Sequence, residues 1–182
     1  MTSNSEFGEV EERVLHLMAS NSNTRFSFQG MKRALKVHQE KLSRGLARLV
    51  SMGYVWKDED GYSITEKGKR LTHPARGGAK KIVVGASYFP GELDLPLVVG
   101  QLKGKWFSGM RWLGSSLEGD RRSLMWVSED GEIQVELNVS GGKFEVALVS
   151  YPPNDEPRAR ECAARIFVKI LNSLYNDKPQ DN

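Results

Sequence analysis

The sequence predicts an α+β fold in which helices come first and an antiparallel sheet follows. One change of pattern and one of charge carry that prediction. Up to Met52 apolar residues recur every three or four positions, the period of a helix; from Ile133 to Val139 they alternate strictly, the period of a strand. Residues 25–81 hold 14 Lys and Arg against 5 Asp and Glu, net +9, whereas residues 82–182 hold 11 against 14, net −3. A basic segment joined to a mildly acidic one points to a polyanion as the partner of the first part.

Phe7, Val10, Val14, Leu17 and Met18 form the apolar face of a first helix, which ends before the polar stretch Ser20–Thr24. Ser27 is placed to N-cap a second helix through about Lys36, with Phe28, Met31 and Leu35 inward. A third helix runs from about Gln39 to Met52 and stops at Gly53. In Tyr54–Ile64 two β-prone runs flank Asp60-Gly61 and predict a hairpin, and a short amphipathic stretch, Thr65–Leu71, follows. Residues 72–81 are Gly-rich, basic and aperiodic, and read as a linker between a domain at 1–71 and another at 82–182.

In the second part, strands are expected at Ile82–Phe89, Trp106–Leu113, Ser123–Ser128, Ile133–Val139 and Phe144–Tyr151. Leu93–Leu102 fits a strand or a short helix, and the sheet could begin at Ile82 or at Trp106. Asp130-Gly131 and Gly141-Gly142 mark tight turns, giving a meander with one buried face. Ile133, Val135, Leu137 and Val139 point inward there, and Gln134, Glu136 and Asn138 outward. A last helix, about Pro157–Tyr175, carries Ala159, Ala163, Ile166, Phe167, Ile170, Leu171 and Leu174 on its apolar face. That face suits either its own sheet or a twin in a second subunit.

Several function classes find no support. Cys162 is the only cysteine, which excludes an intramolecular disulfide framework and fits a reducing cytoplasm. With three histidines besides, no zinc-ligand spacing can be assembled, and neither metal nor cofactor is expected. No apolar run approaches the ~20 residues of a membrane span, and Met1–Glu6 lacks the pattern of a secretory signal. Gly100–Trp106 has three residues between its glycines and a Trp after the Lys, so it is not a phosphate loop. Acid pairs such as Asp58/Asp60 and Glu129/Asp130 fall at turns, where turn geometry explains them. No enzymatic activity is expected.

Helical projection of residues 39–52 places Leu42, Leu46 and Leu49 on one face and Glu40, Lys41, Arg44, Ala47 and Arg48 on the other. Such a helix suits a DNA major groove: Arg44 and Arg48 could fork onto guanine, Gln39 could reach adenine, and Lys41 adds charge. Lys32, Arg33 and Lys36 on the preceding helix could anchor phosphates. The alternative is a solvated basic face. The run from Phe28 to Leu71 resembles the winged-helix module of the MarR and ArsR families of transcriptional regulators. The matching residues are His38–Leu49, then Met52-Gly53-Tyr54-Val55, then Ile64-Thr65-Glu66-Lys67-Gly68-Lys69-Arg70-Leu71. The resemblance implies that His38–Leu49 is a recognition helix, that Gly53-Tyr54-Val55 opens a wing, and that Thr65–Gly68 closes it. The wing tip departs from those families. Asp58-Glu59-Asp60 is acidic where Arg is common, so the tip is not expected close to phosphates, and Lys57 at its base remains the wing's candidate. Nothing after residue 81 matches their helical dimerisation elements.

Trp106, Met110, Trp112 and Trp126 concentrate aromatic and soft apolar side chains on two neighbouring strands. They read either as a pocket for a flat or apolar effector or as a filled core. The sequence therefore predicts a cytoplasmic regulator that binds double-stranded DNA. Its second domain would dimerise, sense a small-molecule or protein effector, or recruit a partner. A homodimer would hold its recognition helices about 34 Å apart over a pseudo-palindromic site. The alternative function is a winged-helix adaptor that binds protein or RNA within a larger assembly.

Overall fold

The computed structural model describes residues 7–72, 81–89 and 95–176. Helix α1 (Glu9–Ser20) opens without a side-chain cap, but Glu9, Glu11 and Glu12 in its first turn meet the positive end of its dipole. A short strand β1 (Thr24–Phe26) leads into α2 (Phe28–Ala34), where the Ser27 hydroxyl accepts from the Gly30 amide at 3.0 Å as the expected N-cap. Paired bonds close α2, Val37 N–H to the Lys32 carbonyl (3.2 Å) and Lys36 N–H to that of Arg33 (3.0 Å), with Lys36 left-handed at φ 51°. Helix α3 (Gln39–Ser51) follows, and then the hairpin of β2 (Val55–Asp58) and β3 (Gly61–Ile64). The short helix α4 (Glu66–Leu71) is capped by Thr65, which accepts from Gly68 N at 3.0 Å.

The second half contributes β4 (Ile82–Tyr88), α5 (Leu95–Leu102), β5 (Met110–Glu118), β6 (Arg121–Ser128), β7 (Gln134–Ser140), β8 (Lys143–Ser150) and α6 (Glu156–Asn176). The chain is thus α+β, and within the ambiguous run residues 95–102 form a helix. Residues 73–80 of the expected linker, residues 93 and 94, and the Leu174 side chain lie outside the described residues, as do Met1–Glu6.

Every strand among the described residues belongs to one antiparallel sheet of eight, in the order β2-β3-β1-β5-β6-β7-β8-β4. The joint is β1, which pairs with β3 through Phe26–Tyr62 and with β5 through Thr24–Ser116, Arg25–Ser115 and Phe26–Gly114. Its three residues sit at the edge of what the sequence reading treats as a polar connection, and they carry the sheet across the 72–81 boundary.

Each half lays its helices on a different face of this sheet. On one face, α5 and α6 cover Leu124, Trp126, Val135, Leu137, Phe144, Val146 and Leu148, and Ala159, Ala163, Ile166 and Ile170 of α6 are fully buried there. The last helix therefore packs on its own sheet. On the other face, α1–α3 build a second core from Val14, Met18, Phe26, Met31, Leu42, Leu46 and Leu49. Leu113, Met125 and Val127 of the second half complete it, each no more than 1% exposed.

A bulge between Trp112 and Gly114 makes this possible. Leu113 turns toward the N-terminal helices and Gly114 abuts the backbone of β1, whereas Trp112 just before them and Ser115 just after lie on the α5 side.

Two expectations need correction. Trp106–Leu113 is not one strand: β5 starts at Met110, because Ser108 (φ 45°) and Gly109 (φ 82°) turn the chain left-handed just before it. Nor is the outward face of the meander solvated throughout. Glu136 and Asn138 are buried, the first paired with Lys81 and the second accepting from Ser123 Oγ at 2.6 Å.

The turn after β6 is also more than turn geometry. Burial disfavours the charged form of Asp130, yet the Ser128 hydroxyl, Arg158 and the Glu132 amide bond it and hold its carboxyl down at about 2. A carboxylate depressed in the fold stabilises it above its ordinary value of 3.8, and the contribution is lost as pH falls through about 2. Stability should accordingly drop between roughly pH 4 and pH 2, and Asp130→Asn should flatten that part of the profile. Equal acid slopes for the two proteins in thermal melts would count against this assignment.

Candidate functional site

On α3 the inward stripe is Leu42, Leu46 and Leu49, all buried, while Gln39, Lys41, Ser43, Arg44, Ala47 and Arg48 are exposed. Gly45 is buried on the side facing α1, where an added Cβ would stand 3.4 Å from Val10 Cγ1. Arg44 pairs with Glu40 one turn back (3.2 Å), and Arg48 pairs with Glu11 of α1 (3.6 Å). The Arg44 pair is largely exposed on both sides and is worth little, so its guanidinium is readily released. Lys41 and Gln39 have no ion pair among the described residues.

The candidates on α2 divide. Lys32 is half-buried. Arg33 turns toward the second half, its guanidinium 6.0 Å from the Trp106 ring centre, and Lys36 pairs with Glu132 at 3.0 Å. Those two side chains thus help tie α2 to the β6–β7 end of the sheet rather than joining the α3 face. Lys57 on β2 is exposed and sits over the Tyr62 ring at 5.8 Å.

The acidic hairpin tip is folded back on the body. Asp58 caps its own turn through the Asp60 amide (3.0 Å) and accepts from Arg25 Nε at 2.8 Å, while Asp60 pairs with Lys103 just after α5. The Lys103 hydrogen bond and charge, with Arg25 behind them, hold the Asp60 carboxyl below its ordinary range. Two of the tip's three carboxylates are therefore neutralised within the molecule. Sequence reasoning missed this because Arg25 and Lys103 are distant along the chain, and only β1 and α5 bring them to the hairpin.

Between the hairpin and α5 lies an open cleft of about 400 Å³, lined by Arg25, Lys103 and Arg122 together with Asp60 and several serines. No residue of this cleft was a sequence candidate apart from Asp60 as a turn acid. The four aromatic-cluster candidates lie elsewhere. Trp126 and Met110 are closed off in the core, with Trp126 Nε1 donating to the Lys105 carbonyl at 2.9 Å. Trp112 and Phe107 meet the Trp126 ring edge-on at 5.7 and 5.4 Å. Trp106 is separate, 63% exposed, with the Arg111 guanidinium 3.7 Å over its ring.

Cys162 is half-buried against the α6 core, and burial pushes its thiol up, away from the reactive thiolate. Among the described residues no three His, Cys, Asp or Glu side chains group to hold a metal, and no helix is long and apolar enough to cross a membrane. No known family model matches the chain, and no curated protein or solved structure is significantly similar to it.

Proposed function

We propose that residues 9–71 act as a winged helix-turn-helix that binds double-stranded DNA, and that the chain is a cytoplasmic transcriptional regulator. Its role is binding rather than catalysis. The observation that carries this reading is the α3 face: a Lys and two Arg, all exposed, project away from a buried leucine stripe, and Gln39 is exposed at the first turn. Arg44 and Lys41 are the residues assigned to the groove, where a guanidinium forks onto guanine O6 and N7. The element order α1-β1-α2-α3-β2-β3 supports reading α3 as a recognition helix and the hairpin as a wing. The acidic tip, which argued from sequence for a protein or RNA partner, is engaged by Arg25 and Lys103 and so loses much of its power to repel phosphates.

Selection of bound sequences from random duplex DNA, followed by titration in increasing salt, tests the proposal. Affinity should fall with a log–log slope of about −0.9 per neutralised phosphate. Arg44→Ala should cost about 1–3 kcal/mol and relax preference at one base position. Lys41→Ala, if it meets a phosphate, should weaken all sequences alike and lessen the slope by about 1. A two-fold symmetric selected site would mean that two copies act together. Absence of duplex binding at low salt overturns the reading.

A further inference from the structure

The cleft beside the hairpin follows from the way the two halves share their sheet. The N-terminal helices cover one face of β3, β1 and β5, and α5 and α6 cover the opposite face of the strands farther along. The α5-side face of β3, β1 and β5 is left without a helix of its own. Cross-strand pairing brings Arg25, Ser115 and Leu124 into one row on that face, and sets Arg122 beside Leu117 in the next. Ser63 follows Tyr62, the partner of Phe26, and so falls opposite Arg25 at the other end of the row. Lys103, beyond the C-terminal end of α5, closes the cleft from above.

The lining selects a chemistry. Three cations, Arg25, Lys103 and Arg122, face one lining carboxylate, Asp60; Asp58 partners Arg25. Hydroxyls, among them Ser63 and Ser115, supply neutral donors and acceptors, and among the described residues no aromatic ring lines the cleft. A flat apolar effector would find no stacking surface there. Arg122 has no ion pair among the described residues. The Arg25–Asp58 and Lys103–Asp60 pairs are each about half exposed, so an arriving anion can displace them at little cost. The volume, about 400 Å³, lies in the range of small-molecule sites.

We infer that this cleft binds a small polyhydroxylated organic phosphate, its phosphate held by Arg122 and Lys103 and its hydroxyls by the serines of the sheet. Guanidinium and ammonium donors match a phosphate dianion, and the ligand competes with Asp60 for Lys103. Binding loosens the contact that ties the hairpin to α5. The site itself does not depend on DNA being the partner of α3.

Calorimetric titration of the full chain with glucose 6-phosphate tests this, with glucose, glucuronate and inorganic phosphate as comparison ligands. Glucose 6-phosphate should bind saturably at one site per chain, inorganic phosphate more weakly, and glucose not at all. Arg122→Ala and Lys103→Ala should each weaken binding by about tenfold or more, the effect of losing one charge-assisted bond. Asp60→Asn should tighten it, a change that a merely structural role for Asp60 would not produce. Unfolding midpoints near that of the parent would show that the variants fold. No saturable binding of glucose 6-phosphate, unchanged affinity in Arg122→Ala, or glucuronate binding as tight as the phosphate ester would overturn the assignment. Because the measurement contains no DNA, failure here is distinct from failure of the DNA-binding proposal.

Discussion

Ending the chain at Thr72 is expected to abolish the folded state of the N-terminal helices. The core beneath α1–α3 is completed by Leu113, Met125 and Val127, none of which such a fragment contains. Burying three side chains of this size contributes about 5–9 kcal/mol in all. A small domain has only ~5–15 kcal/mol of net stability, so the loss is comparable with the whole. Strand β1 would lose β5, one of its two neighbours. The contact is close at several glycines, Gly30 and Gly114 among them. A Cβ on Gly30 of α2 would lie 2.6 Å from the Leu113 Cα, and one on Gly114 would come closer than 3.0 Å to the Arg25 carbonyl oxygen. In both cases the obstructing atoms are backbone and cannot swing aside. The intact chain should accordingly unfold in a single transition, reported alike by far-UV circular dichroism and by tryptophan fluorescence. A fragment 1–72 with a dispersed amide spectrum, or two resolved transitions in the full chain, would show the halves to be independent.

How much of this was legible in the sequence depends on the range of the interaction. Elements set by local period and capping were readable: Ser27 caps the helix it precedes, and Leu42, Leu46 and Leu49 face inward as projected. Strand β1 was not, because Thr24-Arg25-Phe26 is too short for alternation to register, and it is a strand only through β3 and β5. The bulge at Trp112–Gly114 was equally hidden. A strict two-residue period would have put Trp112 and Ser115 on opposite faces, whereas both lie on the α5 side.

The candidate sites divide on the same line. The exposure of Gln39, Lys41, Arg44 and Arg48 follows from one helix and was predictable. The engagement of Arg33 and Lys36 with the second half, and of Asp58 and Asp60 with Arg25 and Lys103, arises between segments far apart in the chain. The cleft is of the second kind entirely, since its three cations come from β1, from just beyond α5 and from β6.

The tryptophans give the other large effect, and it separates two readings that the sequence left open. Trp126 is wholly buried between Phe107 and Trp112 and spends its N–H on the Lys105 carbonyl. Trp126→Ala should therefore cost about 3–5 kcal/mol in denaturant unfolding, the transfer of a large ring plus the cavity it leaves. Trp126→Phe keeps most of the volume and loses the hydrogen bond, which by itself is worth about 1 kcal/mol. Trp106→Ala should stay near ~0.5–1 kcal/mol, because that ring is 63% exposed and loses chiefly its stacking with Arg111. If the cluster instead lined an open effector pocket, the Trp126 ring would already be partly in contact with water. Its removal would then lower stability far less, and the steep order Trp126→Ala, Trp126→Phe, Trp106→Ala would collapse. The geometry favours the steep order, which leaves the polar cleft beside the hairpin as the proposed ligand site and makes the aromatic cluster the anchor that holds α5 and its Lys103 in place above it.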